Sequence, residues 1–135
     1  MEVSDEVKKV KGYKGYDGIY CADVEATGLL HHLIEQGDKA KLHNFCAMEV
    51  NQDKMYLLHT DTQKQRESIQ RFLDRDIVLI MHNGISYDYH ALKHFGYDVS
   101  KVTVVDTLAL SWYLDLNRPK HGLEWFGDVA KIPKP

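Results

Sequence analysis

A chain of 135 residues, 44% hydrophobic and 27% charged, is long enough for one globular core and has the composition of an ordinary water-facing domain. Its 17 basic and 20 acidic residues leave a net charge of −3, which argues against gripping duplex phosphates by bulk positive charge. No apolar run approaches the roughly 20 residues that cross a bilayer, and the charged stretch from Met1 to Lys11 lacks a signal-peptide core, so no membrane partner and a cytoplasmic location are expected. Cys21 and Cys46 fall in apolar strand-like runs and are expected to be buried and reduced. They are too few for a thiolate zinc site.

Residues 1–17 are rich in Lys and Gly and read as an N-terminal extension, leaving 18–135 as the domain. Ile19 to Glu25 is the first predicted strand. Gly28 to Lys41 reads as a loop with short helical turns. Leu42 to Val50 is the second strand, Asn51 to Lys54 a turn, and Met55 to His59 a third strand pairing back. Thr62 to Arg75 is helical: Thr62 and Gln65 have capping-box spacing, and Ile69, Phe72 and Leu73 form the buried stripe. Ile77 to Met81, five apolar residues in a row, is a central strand covered on both faces.

Ser86 is placed to cap a helix that runs to Phe95 and stops at Gly96. Val102 to Val105 is a last short strand. Thr107 to Leu116 is a mostly apolar helix, expected to be well buried, with Asp106 as its N-cap. Asn117 to Lys120 breaks it, and His121 to Lys131 is a further helix. The order βββαβαβα, with one more helix after it, indicates an α/β mixed sheet flanked by helices, and it is the ribonuclease H-like order.

The residues that carry chemistry sit where strands end. Side chains alternate along a strand, so Asp23 and Glu25 point the same way, roughly 7 Å apart. Two such carboxylates repel unless a cation lies between them, and Mg²⁺ or Mn²⁺ is the natural occupant. A third acid, Asp88, has Ala91, Leu92 and Phe95 at its helical neighbour positions, so it faces inward, where an acid normally does not go.

These segments resemble the DnaQ-like (DEDD) 3′–5′ exonucleases. Asp23-x-Glu25 followed by Thr27-Gly28-Leu29 is similar to the first motif of that family, and Asn83-x-x-x-Tyr87-Asp88 to the second. Val105-Asp106-Thr107 and His121-Gly122-Leu123 resemble segments that follow. The wording is most similar to the proofreading domain of phage family A DNA polymerases, over residues 18–132. The resemblance implies a two-metal site in which Asp23 bridges both ions, Glu25 binds the one carrying the attacking water, and Asp88 holds the second. It also implies that Ala26, Thr27 and Leu29 abut the terminal nucleotide of a single-stranded DNA 3′ end, and that Asn83 and Tyr87 line the strand path. The host compartment would be a bacterial or phage-infected cytoplasm.

The family's third motif, Tyr-x-x-x-Asp or His-x-x-x-x-Asp, does not follow Asp88. His121 and Asp128 are too far apart in sequence, and Tyr13-x-x-x-Asp17 lies ahead of the first strand. The expectation is therefore a domain cut off before the last catalytic helix, and weak or inactive alone. That helix would come from the remainder of a polymerase or from a second chain. Two alternatives remain: a catalytically silent module of the same fold that binds nucleic acid or a polymerase partner, and an exoribonuclease relative acting on short RNA. The eight histidines are scattered, and the His90/His94 pair reads as surface. Lys8, Lys9, Lys11 and Lys14 read as a solvated tail.

Overall fold

The computed structural model describes residues 16–52 and 54–132. The predicted N-terminal extension, including Tyr13 and the tail lysines, lies outside the described residues, apart from Tyr16 and Asp17. Five strands form one mixed sheet in the order β3-β2-β1-β4-β5. They are β1 (Gly18–Ala26), β2 (Leu42–Glu49), β3 (Met55–His59), β4 (Ile77–Met81) and β5 (Thr103–Asp106). β1, β2 and β3 pair antiparallel in succession, whereas β4 and β5 run parallel to β1. The helices are α1 (Leu30–Gln36), α2 (Gln63–Leu73), α3 (Tyr89–His94), α4 (Thr107–Leu114) and α5 (Leu123–Ala130). None is long and apolar enough to cross a membrane.

The predicted strands stand to within a residue or two. The segment 28–41 differs, because it holds a full helix, α1, and a 3₁₀ turn over Gly37–Lys39. Its anchor is Leu33, fully buried in the core cluster, on a helix that packs against α3. Two adjacent histidines and a glycine at 37 masked the short apolar stripe of Leu30 and Leu33 in the sequence. α2 follows expectation. Thr62 accepts from the Gln65 N–H at 3.2 Å while the Gln65 side chain accepts from the Thr62 N–H at 3.0 Å, and Ile69, Phe72 and Leu73 are buried.

One face of the sheet carries the core. Tyr20 and Val24 of β1, Phe45 and Ala47 of β2, and Leu79 and Met81 of β4 meet Leu33, Ile69, Phe72, Leu73, Ala91 and Leu92 from the helices. Aromatic edges lock its centre, with Tyr20 and Phe72 ring centroids 4.9 Å apart at 72°. Alternation sends Cys21, Asp23 and Glu25 to the opposite, exposed face. The two cysteines are therefore not buried as expected: Cys21 is exposed and Cys46 half-exposed. Both sit on the second face of their strands, and an apolar run in sequence does not say which of its two faces is covered.

β4 is covered on both faces, as five consecutive apolar residues require. The connection out of it is not the predicted Ser86-capped helix. Gly84–Asp88 form a single π-type turn entered from Asn83 at φ 65°, and α3 begins after it. Ser86 lies inside that turn and caps nothing. Gly84 is buried, and a Cβ there would stand 2.5 Å from the Met81 Cβ. α3 ends at His94 with Phe95 as its C-cap, and Gly96 takes φ 88° as the expected stop.

α4 departs furthest from expectation. Of its residues only Ser111 is buried, while Leu110, Trp112, Leu114 and above all Tyr113, 85% exposed, face outward. The helix is apolar on every side, so its hydrophobicity defines no inward stripe. No other described element covers it. α5 starts at Leu123 rather than His121, which is buried against α4 instead.

The turn after β4 gives the first expected outcome. Gly84→Ala should destabilise the fold by about 1–3 kcal/mol, because the added methyl overpacks against a buried side chain that cannot withdraw. Urea denaturation checks it, with a midpoint unchanged from the wild type as the contrary result.

Candidate functional site

β1 outlasts its parallel neighbour. It pairs with β4 only over Gly18–Cys21, opposite Ile77–Ile80, whereas its antiparallel pairing with β2 continues to Ala26. From Ala22 onward the β4 side of β1 lacks a ladder partner. The Gly84–Asp88 turn lies against this stretch. A carboxylate at the end of that turn, Asp88, is 4% exposed beside β1.

Asp23 and Glu25 flank buried Val24 and project together from the open face, as alternation predicts. Asp88 is inward-facing, also as predicted, with its Oδ2 buried and without a hydrogen-bond partner. Burial is the main reason its pKa rises to about 7. The charge of Asp23 raises it further, the Val24 backbone N–H opposes, and the charge of Asp106 adds to the rise. Asp23 and Asp88 are thus neighbours that feel each other's charge. Tyr87 belongs to the same group: its phenol is pushed up by burial first, then by Asp88, Glu25 and Asp23.

The substrate-side residues divide. Leu29 is 60% exposed at the start of α1, a free apolar side chain beside the acid end of β1. Thr27 is committed internally, since its N–H and hydroxyl both donate to the Lys41 carbonyl, at 3.0 and 2.9 Å, and its Oγ1 accepts from the Lys41 N–H at 2.7 Å. This fixes the backbone of Ala26–Thr27. The Tyr87 hydroxyl donates to the Gly28 carbonyl and ties the second motif-like segment to the first. Asn83 is half-buried, and its N–H goes to Asp106 at 2.9 Å.

Asp106 does more than cap a helix. Its Oδ1 accepts from the N–H of Asn83 at 2.9 Å, Leu108 at 2.9 Å and Ala109 at 3.3 Å, and its Oδ2 from Ile85 at 3.1 Å. Burial pushes this carboxyl up, but the four backbone donors outweigh it and leave its pKa below the usual carboxylate value. The bonds to Asn83 and Ile85 are not legible in sequence, because they join residues more than 20 positions apart.

Two residues at the site were missed in the sequence. Cys46 stands directly across from Asp23 and Asn44 across from Glu25. Burial, then Asp23 and Glu25, push the Cys46 thiol up, and Asn44 Oδ1 is buried without a partner. The alternation Asn44, Cys46, Met48 in β2 was the available signal, and only strand register could aim it at the acids. Asp17 lies at the other end of β1, its carboxylate accepting from the Asp76 N–H at 3.2 Å, away from the acid end.

The donor chemistry suits a hard divalent ion, being carboxylate oxygens of which one is buried and orphaned. As the side chains stand, no three His, Cys, Asp or Glu side chains among the described residues are gathered closely enough to hold one ion. No family model matches the chain, and no curated protein matches it.

The raised Asp88 pKa fixes a sign. The folded state binds this proton more tightly than the unfolded chain does. The contribution of Asp88 to stability is therefore greatest below pH 4, falls as pH rises toward 7, and is constant above. Asp88→Asn should be more stable than the wild type at pH 8, and the advantage should shrink toward pH 4.5. Adding Mn²⁺ at pH 8 should stabilise the wild type and leave the variant unmoved. Urea midpoints at both pH values, with and without Mn²⁺, check all three.

Proposed function

We propose that this chain is a 3′–5′ exonuclease-type domain of the DnaQ-like (DEDD) kind, with ribonuclease H-like topology, acting on the 3′ end of single-stranded DNA. One observation carries the reading. A buried carboxylate, Asp88, is brought against the end of the central strand that bears Asp23 and Glu25. The sheet order, with a parallel strand on one side of β1 and an antiparallel strand on the other, supports it.

In this reading Asp23, Glu25 and Asp88 hold Mg²⁺ or Mn²⁺. When bound, such a pair of ions activates an attacking water and stabilises the leaving 3′-oxygen. The protein's own part is positional. Exposed Leu29 offers an apolar surface to the last nucleotide, the pinned Ala26–Thr27 backbone fixes its height above the acids, and Tyr87 and Asn83 border the path of the strand. The DNA-polymerase proofreading role and the phage setting rest on motif resemblance alone.

The third motif has no counterpart after Asp88. A missing water-orienting or general-base group lowers rate by about 10²–10⁴. Incubated with a 3′-labelled single strand and Mn²⁺, the chain alone should release nucleotides slowly or not at all, and any release should vanish in Asp23→Ala. Rapid digestion by the wild type would mean that the site is complete without that motif. Digestion unchanged in Asp23→Ala would remove the acid pair from the mechanism.

One observation favours a second reading. The exposed apolar side chains of α4 suit a catalytically silent module that docks on a protein partner such as a polymerase. Any release that depends on Asp23 favours the exonuclease reading, whereas none at any Mn²⁺ concentration, with partner binding lost on Tyr113→Ser, favours the module.

A further inference from the structure

A second feature of the fold is lined by none of the three acids. A half-enclosed cavity of about 450 Å³ lies where β2 begins, between the β3–α2 connection and the end of α3. That volume is within the range of small-molecule sites, about 300–1,000 Å³. Its lining combines three basic side chains, Lys41, His43 and Arg66, with two aromatic ones, Phe95 and Tyr97, and a single carboxylate, Asp61.

The fold prepares several of these groups. The pairing of β1 with β2 slips after Glu25: Glu25 faces Asn44, but Ala26 faces Leu42, so His43 is an extra residue with no partner opposite. A bulge of this kind re-aims a side chain, and His43 lines the cavity. Arg66 is held by donation from Nη1 to the Thr60 carbonyl at 2.8 Å and from Nη2 to Gln63 Oε1 at 3.2 Å. Its fork is oriented, with further N–H donors unspent among the described bonds. It also lies close enough to Tyr97 to oppose the upward effect of burial on that phenol. The Lys41 backbone is clamped to Thr27, while its ammonium makes no hydrogen bond among the described residues.

An oriented guanidinium and a free ammonium recognise phosphate, and Phe95 and Tyr97 supply apolar surface for a planar ring. We propose that this cavity binds a phosphate ester carrying a nucleobase, with the phosphate on Lys41 and Arg66 and the base against Phe95 and Tyr97. Two sources share that chemistry, a free mononucleotide and a nucleotide within a strand. None of the residues involved is one of the three acids, so binding requires no divalent ion.

The test uses the full ¹⁵N-labelled chain in EDTA, titrated separately with thymidine 5′-monophosphate, thymidine, inorganic phosphate and a short oligothymidylate. The monophosphate should shift amides in the segments 40–43, 60–66 and 95–97, and thymidine or phosphate at equal concentration should shift them less. Lys41→Gln and Arg66→Gln should each weaken binding at least tenfold, and Asp61→Asn should tighten it. Lys41→Gln keeps the backbone clamp to Thr27, so its effect is not one of misfolding. A tighter oligothymidylate perturbing the same segments names the strand as the source, and a weaker one names the free nucleotide. Either supports the site.

Shifts confined to the Asp23 and Asp88 end, no shift from any probe, or wild-type affinity in both Gln variants would overturn it. Asp23→Asn should bind the monophosphate as the wild type does. An absence of nuclease activity therefore leaves this inference standing, and its failure leaves the exonuclease reading standing.

Discussion

The carboxylate of Asp106 is the constraint on which the site depends. Four backbone N–H groups from two separate segments converge on it, two from the turn after β4 and two from the first turn of α4. Asn83 takes a left-handed conformation, and Gly84 leaves room for the Met81 side chain that any Cβ would crowd. The left-handed turn at Asn83 is held because the N–H groups of Asn83 and Ile85 have one shared acceptor. The turn they create delivers Asp88 to the flank of β1. Two aspartates of nearly equal exposure, 4% and 6%, are thus shifted in opposite directions. Asp106 has four donors and stays charged, whereas Asp88 has an orphaned oxygen and is driven toward neutrality. The permanent charge of Asp106 adds to that drive.

Strand length provides the other half of the arrangement. Because β1 extends past the end of its pairing with β4, a stretch of its backbone is left without a ladder partner in the middle of the sheet. Buried N–H groups there need acceptors, and the Val24 N–H acts on Asp88. The residues that follow the strand are tied down in turn, Thr27 to Lys41 and the Gly28 carbonyl to the Tyr87 hydroxyl. The acids therefore stand on a strand end whose following residues are fixed by hydrogen bonds.

Much of this was legible in sequence where the physics is local. Period-two alternation put Asp23 and Glu25 on one face, period 3.6 turned Asp88 inward, and the Thr62–Gln65 spacing gave the start of α2. What stayed hidden depends on partners distant in the chain. α1 is held by Leu33 and Leu30, a stripe too short to stand out as a period in the sequence. Asn44 and Cys46 join the acids only through strand register. Cys21 was misjudged for a related reason: apolar neighbours establish that a strand is in the sheet, and not which of its faces is covered.

α4 is the sharpest case of that limit. Its sequence states how strongly water is disfavoured around it and says nothing of what displaces the water. In the fold it begins at Asp106 and exposes Trp112, Tyr113 and Leu114, while Ser111 turns in to His121 at 2.7 Å and Trp112 stacks on that ring at 3.7 Å. Its first turn and the turn bearing Asp88 share one acceptor, so the helix cannot shift at its N-terminus without loosening bonds that also hold Asn83 and Ile85. Among the described residues, the exposed apolar helix α4 and the most deeply buried acid, Asp88, are therefore joined through a single carboxylate. The surface of α4 and the electrostatics of the acid site are one structural problem rather than two.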